Sequence, residues 1–184
     1  MGQFLAIGII TSCGTSKTYL QKYNITKEEL ITEMIAQKYF EPAIYDFEET
    51  DERYRFTLKK EVLETQLIRF LEKFYPIVYN DEDDSYKETI EKLKIAKPEQ
   101  WMEMADEKLY EEFQEDAYGE PYYLEFDKPF DPSPSIHFRT IMLSLEGKIF
   151  MEMSARQFNF FKYCIQQAFA EFSIAKAIQV YITG

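Results

Sequence analysis

Both ends of this sequence carry a short segment that is apolar at odd and even positions alike, and this feature constrains the fold most. The first segment runs from Gln3 to Thr11 (QFLAIGIIT) and the last from Ala177 to Thr183 (AIQVYIT). A strand with two apolar sides must be covered on both faces, so it belongs inside a sheet rather than at its edge. We therefore expect the two ends of the chain to supply central strands of one sheet.

Segments with period-2 alternation lie between the two ends and predict β-hairpins at the flanks of that sheet. The first hairpin alternates through Tyr45 and Phe47, turns at 49–52, and returns through Tyr54, Phe56 and Leu58. Its acidic outer positions would face basic ones across the two strands. The second hairpin pairs residues 135–144 with 148–153 around the Glu146-Gly147 turn.

Helical periodicity and capping residues predict the helices that cover the sheet. Capping boxes are expected at Thr26-x-x-Glu29 and Ser85-x-x-Glu88, and prolines are expected to stop the helices before Pro42 and Pro76. The last long helix would start after Ser154 and present one apolar face, formed by Phe158, Phe161, Ile165, Phe169 and Phe172.

These elements predict one α+β domain over residues 1–184. The expected architecture is a mixed, mostly antiparallel sheet of about five or six strands with packed helices. An acidic helical insertion is expected at about 81–118, where the composition changes.

The segment after the first strand contains two motifs that fail on inspection. Gly14-Thr-Ser-Lys17-Thr18 resembles a phosphate-binding loop, but Lys17 follows Gly14 by three positions instead of one. Cys13 follows an apolar run, as in a lipoprotein, but that run covers only Phe4–Ile10 and has no basic residues before it. We expect a polar loop here, no cofactor, and a cytoplasmic protein.

The chain has two cysteines, Cys13 and Cys164, and one histidine. The cysteines do not form a C-x-x-C motif, and a zinc site would need an improbable mixture of ligands. We expect two buried free thiols and no metal site.

The net charge of −12 restricts the possible partners. Nucleic acid and anionic membranes attract basic surfaces, so neither is an expected partner. A basic protein surface is the partner class that this charge favours. The oligomeric state is not predicted by any of these features.

Most of the negative charge lies in one segment. Residues 81–116 contain 14 acidic residues and 5 lysines, and hold −9 of the total. Concentrating like charge on helices costs self-repulsion, so the segment is either a docking surface for a partner or an acidic face exposed to solvent. The predicted partner-binding residues are Asp83, Asp84, Glu103, Glu107, Glu111, Glu112, Glu115 and Asp116.

Two functional hypotheses follow. The first is a non-enzymatic protein-binding module, of the immunity-protein kind, that neutralises a basic partner through its acidic helices. The alternative is a small enzyme or ligand-binding domain with a pocket near His137 and the aromatic loop 122–130. His137, which shares a strand face with Arg139, is the one weak catalytic candidate, because histidine titrates near neutral pH.

Overall fold

The structure, a computed structural model, describes residues 4–78, 85–98, 100–101, 122–123, 135–146 and 155–183. Its strands are β1 (Phe4–Ser16), β2 (Tyr45–Glu49), β3 (Arg53–Leu58), β4 (Tyr122–Tyr123), β5 (Ser135–Glu146) and β6 (Ile178–Thr183). Its helices are α1 (Lys17–Lys22), α2 (Lys27–Ala36), α3 (Lys60–Val78), α4 (Ser85–Ile95) and α5 (Ala155–Ala168), followed by a 3₁₀ helix (Ser173–Ala177).

The strands form one six-stranded sheet in the order β2-β3-β1-β5-β4, with β6 paired to β1 outside this path. Every pairing in the described part of the chain is antiparallel. The predicted α+β class with a mostly antiparallel sheet of about five or six strands is therefore confirmed. The returning strand predicted at 148–153 and the predicted insertion at 81–118 lie wholly or largely outside the described residues.

β1 is the central strand, as predicted, and it has three partners. One of its edges pairs with β5 from Leu5 to Gly14. The other edge is shared, because β6 pairs with Phe4–Ile9 and β3 pairs with Ser12–Ser16. The strand is longer than the predicted Gln3–Thr11, since the expected polar loop continues the ladder to Ser16.

A buried hydrogen bond is formed at the junction where the strand paired with this edge of β1 changes from β6 to β3. Neither strand pairs with Ile10 or Thr11 at this edge. The hydroxyl group of Tyr45 donates to the carbonyl oxygen of Ile10 at 2.7 Å, and both residues are buried. A buried carbonyl group that accepts no hydrogen bond destabilises the fold. The Tyr45 hydroxyl therefore supplies the donor that is missing where the strand ladder is interrupted.

β1 and β3 approach each other very closely at Gly14. A Cβ atom added there would lie 2.5 Å from the carbonyl oxygen of Tyr54. Real Cβ atoms do not approach backbone oxygens so closely, so this part of the ladder requires glycine. Gly14 thus has a structural role in strand pairing.

The predicted capping box of α2 is confirmed. The Glu29 backbone N–H donates to the Thr26 hydroxyl at 3.2 Å, and the Thr26 N–H donates to the Glu29 carboxylate at 2.8 Å. Leu30 and Met34 of this helix are fully buried. The corresponding box predicted at Ser85 depends on a side chain outside those described, and Ser85 is the first residue of α4.

The helix ends differ from the sequence-based expectation. α2 ends at Ala36, and Lys38 adopts a left-handed conformation with φ of 63°. The N–H groups of Tyr39 and Phe40 then bind the Met34 carbonyl, so the turn ends the helix before Pro42 can act. α3 continues past Pro76 to Val78, so Pro76 does not stop the helix where the sequence predicted.

Two further expectations were wrong. β1 leads directly into α1, whose first turn is capped by the Ser16 hydroxyl accepting from the Tyr19 N–H at 3.0 Å. In the last long helix, Phe161 is exposed, and Phe169 and Phe172 are buried only after α5 has ended at Ala168. The predicted apolar face therefore combined residues from the helix with residues from the following turn.

Replacing Tyr45 by phenylalanine tests the junction in β1. Tyr45→Phe removes the donor and leaves the buried Ile10 carbonyl unsatisfied, so the free energy of unfolding should fall by about 1–3 kcal/mol. Urea denaturation followed by circular dichroism measures this change.

Tyr54→Phe is the matched control in the same hairpin, since the structure gives the Tyr54 hydroxyl no hydrogen bond to any described residue. The control should change stability by less than about 0.5 kcal/mol. Equal effects of the two substitutions would show that the hydrogen bond does not stabilise the junction.

Candidate functional site

The eight predicted partner-binding residues all lie outside the described part of the chain. The described helix of the predicted acidic segment, α4, is not the strongly acidic surface that was expected. The helix buries Ile90 and Leu93, and its charged side is mixed. Lys92 pairs with Glu88 at 2.9 Å, and Lys94 pairs with Glu91 at 2.8 Å and with Glu72 of α3 at 2.9 Å.

Trp101 anchors the chain just before the acidic residues resume. Its side chain is 4% exposed, and its Nε1–H donates to the Leu93 carbonyl at 2.9 Å. Pro98, Gln100 and Trp101 are helical, as predicted for the start of the next helix. The chain thus enters the segment beginning at Glu103 from a fixed position on α4.

His137 lies in a row of directly paired residues that crosses four strands. His137 pairs with Gly14 of β1, Gly14 pairs with Arg55 of β3, and Arg55 pairs with Glu48 of β2. In the next row, Arg139 pairs with Ser12, which pairs with Thr57 and then with Asp46. The polar residues that the sequence separates by about a hundred positions are therefore neighbours across the sheet.

These rows form a surface that we call the polar sheet face. Directly opposed residues of antiparallel strands point to the same side, so its members can be assigned from the register. Those on β2 and β3 are exposed, and those on β1 and β5 are half-buried. The members with described side chains are Asp46, Glu48, Arg53, Arg55, Thr57, Ser12, Ser16 and Arg139.

The other face of the same strands is core, formed in part by Cys13, Phe56 and Leu58. At the far edge, β4 pairs Tyr122 and Tyr123 with Ile136 and Ser135. This pairing brings the start of the predicted aromatic loop next to His137. The pocket itself would be formed by residues outside those described.

Among the described residues, none forms an ion pair with the exposed charged side chains of β2 and β3 on the polar sheet face. The register places Glu48 opposite Arg55, as the sequence predicted, but no ion pair joins their side chains. Arg53 likewise forms no ion pair with any residue in the described ranges. An ordered surface of both signs is therefore available for contacts with another molecule.

Glu49 has a different role from the other acids of β2. Its carboxylate binds Lys17 of α1 at 2.7 Å and Lys27 of α2 at 3.0 Å. Hydrogen bonds from the two ammonium groups lower the pKa of Glu49, and the Glu49 hydrogen bond raises the pKa of Lys27. Glu49 thus ties the end of β2 to two helices.

Lys162 of α5 is a buried amine that sequence analysis missed. It is 7% exposed, and its Nζ lies 3.4 Å from the Lys38 carbonyl oxygen and 5.5 Å from the centre of the Tyr39 ring. Gln179 of β6 donates to the same carbonyl at 3.3 Å. Burial, helped by the positive charge of Lys38, lowers the pKa of Lys162 from 10.5 to about 8.

A periodic signal for this residue was present in the sequence. Lys162, Ile165 and Phe169 follow helical spacing, and they form the inward side of α5 and its continuation. The structure shows no acidic partner for Lys162 in the segments that it describes. Its amine is a candidate reactive group, and the described charged residue that acts on it, Lys38, carries the same sign of charge.

The two cysteines lie in different environments, so the expectation of two buried thiols was half wrong. Cys13 is buried under the sheet, and burial raises its pKa from 9.0 to about 12. Cys164 lies on the outer side of α5 and is exposed. Neither forms a disulfide.

Among the described residues, no group of three or more histidine, cysteine, aspartate and glutamate side chains is placed to hold a metal ion. Within the same ranges, none of the helices is both long and apolar enough to cross a bilayer.

The chain matches no known protein-family model, and comparisons with curated proteins and with solved structures also gave no match.

The charge state of Lys162 predicts a pH-dependent stability. The unfolded chain holds this proton up to about pH 10.5 and the native chain only up to about pH 8. Between these values the unfolded state binds more protons, so stability rises with pH. Relative to Lys162→Met, the wild type should gain on the order of 2–3 kcal/mol between pH 7 and 10.5, measured by urea denaturation.

The raised pKa of Cys13 acts in the opposite direction above pH 9, but it is common to both proteins and cancels in the comparison. A difference between wild type and Lys162→Met that does not change with pH would contradict the burial of a titrating amine.

The two thiols should react at very different rates with a disulfide reagent such as 5,5′-dithiobis(2-nitrobenzoic acid). At pH 8 the native protein should release one equivalent of thionitrobenzoate rapidly, from Cys164, and a second only after unfolding in urea, because thiolate formation at Cys13 requires exposure. Cys164→Ser should abolish the rapid phase. A rapid phase that persists in this variant would place Cys13 at the surface.

Proposed function

We propose that this chain is a non-enzymatic protein-binding module that uses an acidic surface to engage a basic protein partner. The observation that carries the proposal is the charge distribution, with −9 of the net −12 in residues 81–116. The described part of this segment supports it, since α4 and Trp101 are anchored on the core and hold the chain at the point where the acidic residues continue.

Within this class, we favour a neutraliser of a basic enzyme, of the immunity-protein kind. Acidic docking surfaces accelerate association with basic partners and discriminate against others. We place this encounter in the cytoplasm, where free thiols such as Cys13 and Cys164 remain reduced. Nucleic acid is not proposed as a partner, because its phosphates would be repelled by the same charge.

Charge reversal in the acidic segment tests the proposal. A tagged wild-type chain should capture a basic partner from a native lysate at about 50 mM salt and release most of it at about 300 mM, because salt screens exposed charges. Glu107→Lys, Glu111→Lys, Glu112→Lys and Glu115→Lys in one chain should then weaken binding of the purified partner by at least about tenfold.

The matched control carries the same change in charge elsewhere on the surface. Asp51→Lys, Glu52→Lys, Glu64→Lys and Glu171→Lys replace exposed acids of the β2–β3 turn, α3 and the segment after α5. Circular dichroism should show that both variants fold. Unchanged binding by the first variant, or an equal loss in the control, would count against an acidic docking surface at 107–115.

The second candidate is a small enzyme or ligand-binding domain centred on His137. One observation favours it, namely that the register brings His137, Gly14 and Arg55 into one row and pairs Tyr122–Tyr123 with the residues next to His137. This candidate ranks below the first because backbone adjacency alone supports it.

A further inference from the structure

The outer edge of β2 presents backbone groups that no described residue binds. The Lys59 N–H donates to the Ile44 carbonyl at 2.8 Å, and the Thr50 N–H donates to the Arg53 carbonyl at 2.9 Å. Because hydrogen bonding alternates along an antiparallel pair, the intervening Asp46 and Glu48 also direct their backbone groups towards β3.

Phe47 and Glu49 therefore direct their N–H and C=O groups away from the sheet. The backbone of neither residue forms a hydrogen bond to any other described residue. Tyr45, at the start of the strand, differs, because its N–H already donates to the Glu41 carbonyl at 3.1 Å. Among the described residues, the part of the edge that lacks a partner strand thus consists of residues 47 and 49.

Exposed strand edges attract other strands, and proteins usually block them with lysine, proline or a bulge. β2 (YDFEE) has none of these features. Its protection consists of acidic side chains, with Asp46 and Glu48 exposed on the polar sheet face. The negative charge of this edge repels an incoming acidic strand, has little effect on a neutral strand, and attracts a basic strand.

We propose that the edge of β2 accepts an extended segment of the partner protein as an added strand, with basic residues at alternating positions. This inference rests on the proposed function and specifies the kind of segment that the basic partner supplies. Backbone hydrogen bonds to Phe47 and Glu49 hold the added strand, as in other cases of strand addition.

The side chains of β2 define the alternation. Side chains on neighbouring strands lie about 5 Å apart, so basic residues of the added strand would meet Asp46 and Glu48 on one face. The residue between them would lie on the side of Phe47, which is half-buried and packs against Phe56 with ring centres 5.1 Å apart. An apolar residue suits that position.

Charge also decides against a second copy of the chain as the occupant. If two β2 edges paired antiparallel around Phe47, each Asp46 would oppose a Glu48 of the other chain. Like charges directly opposite each other destabilise a strand pair. Like charge therefore disfavours pairing of two β2 edges and favours a basic partner strand.

A synthetic peptide of alternating lysine and valine, capped at both ends, tests the inference without knowledge of the natural partner. With ¹⁵N-labelled full-length protein, the peptide should shift the amide resonances of Phe47 and Glu49 and slow their hydrogen exchange. The amides of Asp46 and Glu48 should change less, because they are already bonded to β3. A peptide with glutamate in place of lysine should leave all four amides unchanged.

Two double variants separate edge binding from general attraction by negative charge. Asp46→Lys with Glu48→Lys should weaken binding of the lysine peptide by about tenfold or more, because attraction becomes repulsion at two positions. Asp51→Lys with Glu52→Lys makes the same change in charge in the adjacent turn and should weaken it by less than about threefold. Thermal melts establish that both variants are folded.

Absence of changes at Phe47 and Glu49, or equal weakening by the two double variants, would overturn the inference. Its failure is distinguishable from failure of the proposed function. If the lysine peptide does not bind the edge but the variant reversed at Glu107, Glu111, Glu112 and Glu115 still loses the natural partner, only the inference about β2 is wrong.

Discussion

The fold depends on how β1 satisfies its backbone at the point where its partner changes. A strand of 13 residues pairs along one edge with β5, while the other edge is divided between β6 and β3. Two short strands cannot meet end to end without leaving part of the ladder open, and the Tyr45 hydroxyl fills that opening at Ile10. Burial raises the pKa of this hydroxyl well above its ordinary value of 10.0, so it remains a donor at any physiological pH. The same contact attaches the start of β2 to the centre of the sheet, and the rest of β2 is left at its margin.

The division of β1 also separates two environments along one strand. In its first half, where β6 and β5 flank it, Ala6, Ile9 and Ile10 are buried and both faces are covered. In its second half the alternation becomes strict. Thr11, Cys13 and Thr15 are buried, whereas Ser12, Gly14 and Ser16 are half-exposed on the polar sheet face. A central strand that is apolar throughout would require cover on both faces along its whole length. The change to small polar residues is what allows a solvent-facing surface to exist at the centre of this sheet.

Local patterns in the sequence predicted the elements whose causes are local. The capping box at Thr26 and the alternation of the β2–β3 hairpin both involve residues close in sequence. The failures have distant causes. Residues 12–16 resemble a polar loop until β3 and β5 pair with them, and Lys162 resembles a solvent-facing lysine until Lys38 and Gln179 surround it. Neither the open edge of β2 nor the row containing His137 can be derived from sequence, because both depend on strand order.

Two kinds of interaction would divide the work of recognition if the proposed function holds. The charge of residues 81–116 acts over distances of about a Debye length, so it would raise the association rate and would weaken with salt. Backbone hydrogen bonds at the edge of β2 act only at contact and carry no net charge, so they would determine register and lifetime and would depend little on salt. A partner held by charge alone would dissociate quickly and would be poorly distinguished from other basic proteins. An added strand supplies the specificity that the field cannot, because it requires an extended segment with the correct alternation. The acidic side chains at Asp46 and Glu48 join the two effects, since they belong to the general negative field and also mark individual positions along the edge.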